Sequence, residues 1–186
     1  AGLQLEVRVP HSPELMAHPI LHGIRKAEAG DAAGAMSAYS AARAVPLSWP
    51  ESWIALAALA IAVEDPAGAS AHATHALQLR RDDADAWVNL GVAHWHAGRR
   101  REGAQAMHQA AMLAPGMEAA ALNYSMMLRA VDQLPRAREV LERAVLANPD
   151  GWRLHLGLAE ACRLLEAHDG ARRHVLAALQ AMPLPD

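Results

Sequence analysis

The chain has 186 residues, 53 % of them hydrophobic, with 17 Lys and Arg against 20 Asp and Glu and a net charge of −3. That balance argues against nucleic acid as the main partner, because such binding rests on neutralising phosphates with basic side chains. No run of 18 apolar residues is present, so no membrane-spanning helix is expected. Cys162 is the one cysteine, which excludes an internal disulfide.

Residues 1–15 alternate Leu3, Leu5, Val7 and Val9 with Gln4, Glu6 and Arg8. A period of two marks extended backbone. A lone strand is not stable, so the segment needs a partner. It is expected either to lie on the first repeat as an extended tail or to pair with another chain. Ser12-Pro13-Glu14 then reads as a helix cap followed by a first-turn proline.

From residue 16 the chain repeats every 34 residues, in units 16–49, 50–83, 84–117, 118–151 and 152–185. The first unit has Pro19 where the next two have Trp53 and Trp87. The second starts at Pro50-Glu51 and begins its second helix at Asp65-Pro66. The third is the most regular. Trp87, Leu90, Gly91 and His94 follow the i, i+3, i+4, i+7 spacing of one helix face. Gly98 breaks that helix, Met107 and Ala110 lie one turn apart on a second helix, and Pro115 stops it. The fourth unit has Ala121 and Tyr124 at the Trp and Leu positions, and the fifth places Cys162 where the third has His94. Ala76, Ala110, Ala144 and Ala178 recur in step, as do Pro115, Pro149 and Pro183. Small residues recur at the eighth position (Gly23, Ala57, Gly91, Ser125, Ala159) and the twentieth (Ala35, Ala69, Gly103, Ala137, Ala171), where helix backbones approach closely.

The pattern W-x2-L-G-x2-Y…A-x3-F…P with a 34-residue period resembles the tetratricopeptide repeat (TPR). The resemblance implies an all-α, right-handed solenoid of about ten antiparallel helices over 16–186, preceded by the short extended segment 1–15. Breaks are expected near Gly30, Pro46, Val63–Asp65, Arg81–Asp83, Gly98, Pro115, Asp132, Pro149 and Glu166–His168. No polar capping helix follows Met182, so Val175, Leu176, Leu179 and Met182 are expected to be partly uncovered.

In TPR proteins the first helices of successive units line a concave groove. The resemblance places Ala17, Ile20, Leu21, Ile24, Ile54, Ala55, Ala58 and Ile61 at its apolar end. Further on it places Val92, Trp95, His96 and Met126. Asn89 and Asn123 share the sixth position of adjacent units, and each side chain offers a donor and an acceptor to one peptide unit. They resemble two rungs of the asparagine ladder of the O-GlcNAc transferase superhelix. Arg129 and Arg163 share the twelfth position and, with Arg153, suit a carboxylate. Local pairing with Glu160 is the alternative. The carboxylate clamp of chaperone-binding TPR domains does not transfer, because Ile54, Ala58 and Ala119 stand at its polar positions.

No Ser/His/Asp set, paired acid or glycine-rich phosphate loop appears. His72 and His75, and His94 and His96, lack a third ligand at metal-site spacing. No catalytic residue, metal or cofactor is therefore expected. The resemblance implies a non-catalytic module that binds a peptide, tail or helix of a protein partner. The alternatives are a substrate-presenting or oligomerising part of a larger enzyme of glycosyltransferase, sulfotransferase or hydroxylase type, and a scaffold that self-assembles through the last repeat or the N-terminal segment. The composition, rich in Ala and Arg with Lys26 its one lysine, suggests a bacterial gene. A cytoplasmic location is expected, with the periplasm left open.

Overall fold

A computed structural model of the chain describes residues 4–15, 18–44 and 47–183. Leu3, Ala17 and the Pro46 break lie outside these. Among the described residues, ten α-helices follow a single 3-10 turn at Pro13–Leu15: α1 (Pro19–Glu28), α2 (Ala32–Arg43), α3 (Pro50–Ala62), α4 (Pro66–Leu79), α5 (Ala84–His96), α6 (Arg100–Leu113), α7 (Glu118–Arg129), α8 (Leu134–Ala147), α9 (Trp152–Leu164) and α10 (His168–Ala181). The other expected breaks fall between helices as the 34-residue period requires. The chain separates into two compact units, one holding Leu5–Ala106 and the other running from Met107 onward. No strand is present among the described residues. The alternating segment is extended, and it pairs with side chains instead of another strand.

Every repeat turns on the same device. The fifteenth residue is left-handed in all five: Gly30 at φ 78°, Glu64 at 60°, Gly98 at 77°, Asp132 at 57° and Glu166 at 58°. The next residue then donates its N–H to the carbonyl five positions back. These bonds are Asp31 to Lys26, Asp65 to Ala60, Arg99 to His94, Gln133 to Leu128 and Ala167 to Cys162, at 2.8–2.9 Å. This Schellman closure satisfies carbonyls that a helix end would otherwise leave open. In the first two repeats the same residue also starts the next helix. Asp31 accepts from Gly34 N–H, and Asp65 from Gly68 N–H.

Helix pairs then close on small residues. A Cβ added to Gly103 would stand 3.0 Å from the Gly91 carbonyl oxygen and 3.2 Å from the Trp95 nitrogen. Gly103 and Gly91 are the expected close approach, and backbone atoms leave no side chain to move aside. In the first repeat a Cβ on Gly23 would meet Leu59 Cδ2 at 2.8 Å and Ala38 Cβ at 2.9 Å. Within Leu5–Ala106 one apolar cluster joins Ile20, Ile24, Tyr39, Ala55, Ala58 and Leu59, and a second joins Ile54, Ala57, Ala76 and Leu90.

Polar groups are threaded into this packing. Tyr39 hydroxyl donates to Asp65 Oδ2 at 2.9 Å, so its oxygen is left to accept from His72 Nε2, 3.1 Å away. In the compact unit from Met107 onward, His155 sets its tautomer against the Pro149 carbonyl, 2.9 Å from Nε2. His155 Nδ1 then accepts from His174 Nδ1, 3.2 Å away. Val175, Leu176, Leu179 and Met182 are exposed at 41–60 %.

Three outcomes follow for stability. Gly98 has open space around its missing Cβ, so Gly98→Ala isolates the left-handed penalty and should cost about 1 kcal/mol, read from urea unfolding. Gly103→Leu overpacks the Gly91 contact and should cost about 1–3 kcal/mol or more, with an unchanged unfolding midpoint refuting the interface. Burial, foremost, holds the His72, His94 and His174 imidazoles below the ordinary 6.5, and neighbouring positive charge adds to it (Arg43 at His72, Arg99 at His94, Arg173 at His174). The unfolded chain therefore binds more protons as pH falls through this range, and stability drops with it. The Tm should be lower at about pH 5.5 than at about pH 7.5; a flat or rising Tm would contradict these environments.

Candidate functional site

The first helices α1, α3 and α5 lie side by side in the Leu5–Ala106 unit. Of their expected groove positions, Ile20, Ile24, Ile54, Ala55, Ala58 and Asn89 are buried, Leu21 and Ile61 are half-buried and His96 is exposed. In the second compact unit, by contrast, Leu156 and Leu164 of α9 stand at the corresponding positions and are 42 % and 38 % exposed. The α1/α3/α5 face carries an occupant, which is the chain's own N-terminal segment.

Asn89 is the centre of that contact. The Arg8 amide N–H donates to Asn89 Oδ1 at 2.7 Å, and Asn89 Nδ2 returns a bond to the Arg8 carbonyl at 2.8 Å. The second Nδ2 hydrogen goes to the Ile54 carbonyl on α3 at 3.1 Å. The amide orientation is fixed by this pattern, since the reverse would set a carbonyl oxygen against two other carbonyl oxygens. Asn89 is fully buried and satisfied; an unpaired buried amide would cost about 1–3 kcal/mol. One asparagine thus treats Arg8 as a neighbouring strand would, clasping both polar groups of its backbone.

The side chains of the segment divide by parity. Val7 and Val9 pack against the cluster that contains Ile20, Ile24, Ala55 and Ala58. Arg8 points the other way, and its Nε donates to Asp85 Oδ1 at 2.7 Å. Asp85 lies one helical turn before Asn89 on α5, so a single helix face supplies both the backbone clasp and the charge partner. Beyond Val9 the segment leaves the face beside an open recess of about 670 Å³, lined by Val9, Pro10, His11, Leu21, Ile24 and Arg25 among others.

The remaining expected residues are arranged differently from the sequence reading. Val92 and Trp95 are buried rather than presented at the surface. The Arg100 guanidinium, at the start of α6, lies 4.2 Å from the Trp95 ring centroid and covers it. His96 is exposed. Asn123 is as buried as Asn89, at 1 %, so neither amide has the solvent-accessible tip expected of it. For Asn89 the reason is the segment lying over it.

Arg129 and Arg163 in the second compact unit both face Glu160. Arg163 makes a two-pronged contact at 2.7 and 2.9 Å, and Arg129 stands 3.5 Å away. The Arg163 hydrogen bond and the charges of Arg163 and Arg129 hold the Glu160 carboxyl below its usual range. The local pairing weighed as the alternative is therefore what forms, and an incoming carboxylate would have to displace Glu160. Met126 and Arg129 also line a shallow recess of about 460 Å³ with Ala130, Asp132, Leu134 and Leu164.

The sequence marked Asn89 and the alternating segment separately. It missed Asp85 as a charge partner and missed that the two features meet. The available signal was Arg8, a lone basic residue between two valines on a segment in need of a partner.

A family model described as the tetratricopeptide repeat matches residues 128–183. Among solved structures, MamA is 21 % identical, aligned over 86 % of this chain and 93 % of that one with a TM-score of 0.64. Pseudomonas aeruginosa pilF is 19 % identical over 90 % of this chain and 76 % of that one, with a TM-score of 0.68. TTC0263, a thermophilic TPR protein of Thermus thermophilus, is 16 % identical over 89 % and 90 %, with a TM-score of 0.66. No curated protein matches the chain by sequence. The tetratricopeptide repeat model thus matches residues 128–183, and the solved structures share the chain's all-α repeat fold.

Proposed function

We propose that this chain is a non-catalytic interaction module that binds an extended peptide of a protein partner on the α1/α3/α5 face. The observation behind this reading is the Asn89 clasp, in which one buried side chain exchanges two hydrogen bonds with the backbone of Arg8. A side chain that reads backbone accepts many sequences, because every non-proline residue offers the same donor and acceptor. The apolar floor of Ile20, Ile24, Ala55 and Ala58 supplies the burial that such a peptide gains. Within the unit from Met107 onward, Asn123 is a separate candidate for a backbone contact, and Arg129 and Arg163 are candidates for an acidic group, in competition with Glu160.

The test removes the resident segment first. In a full-length chain carrying Val7→Asp and Val9→Asp, labelled extended peptides of varied sequence are titrated by fluorescence anisotropy, with and without Asn89→Ala. Each lost neutral hydrogen bond is worth about 0.5–1.5 kcal/mol, so Asn89→Ala should weaken the peptides about ten- to a hundredfold, and by similar factors whatever their sequence. Equal affinity for both forms would refute the reading.

A further inference from the structure

The resident segment also specifies what the face prefers. Three independent contacts hold it: Asn89 on the backbone of Arg8, Asp85 on its guanidinium, and the apolar cluster under Val7 and Val9. The first is indifferent to sequence. The other two are not. Alternate residues of an extended chain point to opposite sides, so this face requires aliphatic side chains at two positions and tolerates a long side chain between them. Asp85, 25 % exposed at its side chain, makes that middle position selective for positive charge.

The segment is held lightly. Its side chains are only partly buried, and its Arg8–Asp85 pair is partly open to solvent, where such pairs contribute little. Pro10 ends the run of amides that could extend the clasp. What keeps it in place is its covalent connection to α1, which sets a local concentration in the millimolar range for a short tether.

We propose that residues 5–9 are a built-in competitor for this face, and that the ligand it gates is an extended segment of another protein carrying a basic residue between two aliphatic ones. This rests on the peptide-binding reading above and adds to it both a sequence preference and a closed state. A ligand meets the face only in the fraction of molecules whose segment has lifted, so its apparent affinity is reduced by that fraction.

The experiment uses full-length protein and a labelled, end-blocked peptide spanning Gln4–Pro10, with a second version in which its arginine is replaced by glutamate. Both are titrated by fluorescence anisotropy into the wild type, into the Val7→Asp, Val9→Asp chain, and into that chain with Asp85→Arg added. Circular dichroism confirms that each variant keeps its helices. Arg8→Pro, which deletes the amide that donates to Asn89, serves as a second way to release the segment. The arginine peptide should bind the released chains at least about tenfold more tightly than the wild type. It should also be preferred over the glutamate peptide, and Asp85→Arg should reverse that preference. Equal binding to wild type and released chains would overturn the gating. Binding to the released chains that does not distinguish arginine from glutamate would overturn the specificity and leave the peptide-binding reading standing. Failure of every peptide to bind either released chain would overturn both. A concentration-dependent wild-type dimer that both arm variants abolish would place the segment on a second copy, and would overturn the competitor in cis.

Discussion

The left-handed residue at position 15 is the constraint on which the rest of the structure depends. A helix pair can fold back on itself only if the chain reverses within a few residues, and here one φ near +60 to +78° does it in all five repeats. The carbonyl that this reversal would strand is recovered by the N–H of the next residue. Because the reversal is the same each time, the two helices of each repeat meet at the same pair of positions. Those positions must then be small, and at the Gly91–Gly103 approach an added Cβ would meet backbone atoms directly. Glycine occupies the turn only in the first and third repeats. The acidic residues in the other three accept strain of about 1–2 kcal/mol each for a non-glycine side chain, which the surrounding helix packing outweighs.

This explains which features were legible in the amino-acid order. Helix positions, breaks and close approaches are local consequences of a period, so Gly30, Gly98, Pro115 and Ala110 announced them. The strand-like alternation of Leu5, Val7 and Val9 also reported real backbone geometry, since the segment is extended. Groove positions were legible only as directions. The sixth position of the third repeat points inward, but what fills the space in front of Asn89 comes from 81 residues earlier. No periodic pattern encodes such a contact. Trp95 failed for a related reason: Arg100, from the following helix, covers its ring. Arg129 and Arg163 share one repeat position, as their spacing requires, but their charge is already engaged by Glu160. Position within a repeat fixes where a side chain starts, and neighbouring charges decide what it is free to do.

The two ends of the array show how burial depends on an occupant. The apolar first helices of the early repeats are covered, because Val7 and Val9 lie on the cluster they share with α1 and α3. The apolar second helix of the last repeat, α10, leaves Leu176 and Leu179 exposed. Repeats bury their apolar faces on neighbours, and at the front of this chain an extended segment serves in place of a helix. It does so without adding regular secondary structure, through a single polar clasp and two branched side chains.

The 81-residue separation between Arg8 and Asn89 also bears on how the molecule assembles in time. Helix pairs form from residues close in sequence, so their contacts need little loop closure and can develop early. The N-terminal contact has no site to join until α1, α3 and α5 are already side by side. Docking of the segment is thus the late step of folding for this half of the chain, and its release is the first step of unfolding. The same ordering gives the nascent protein an interval in which the repeats are complete and the face is still open.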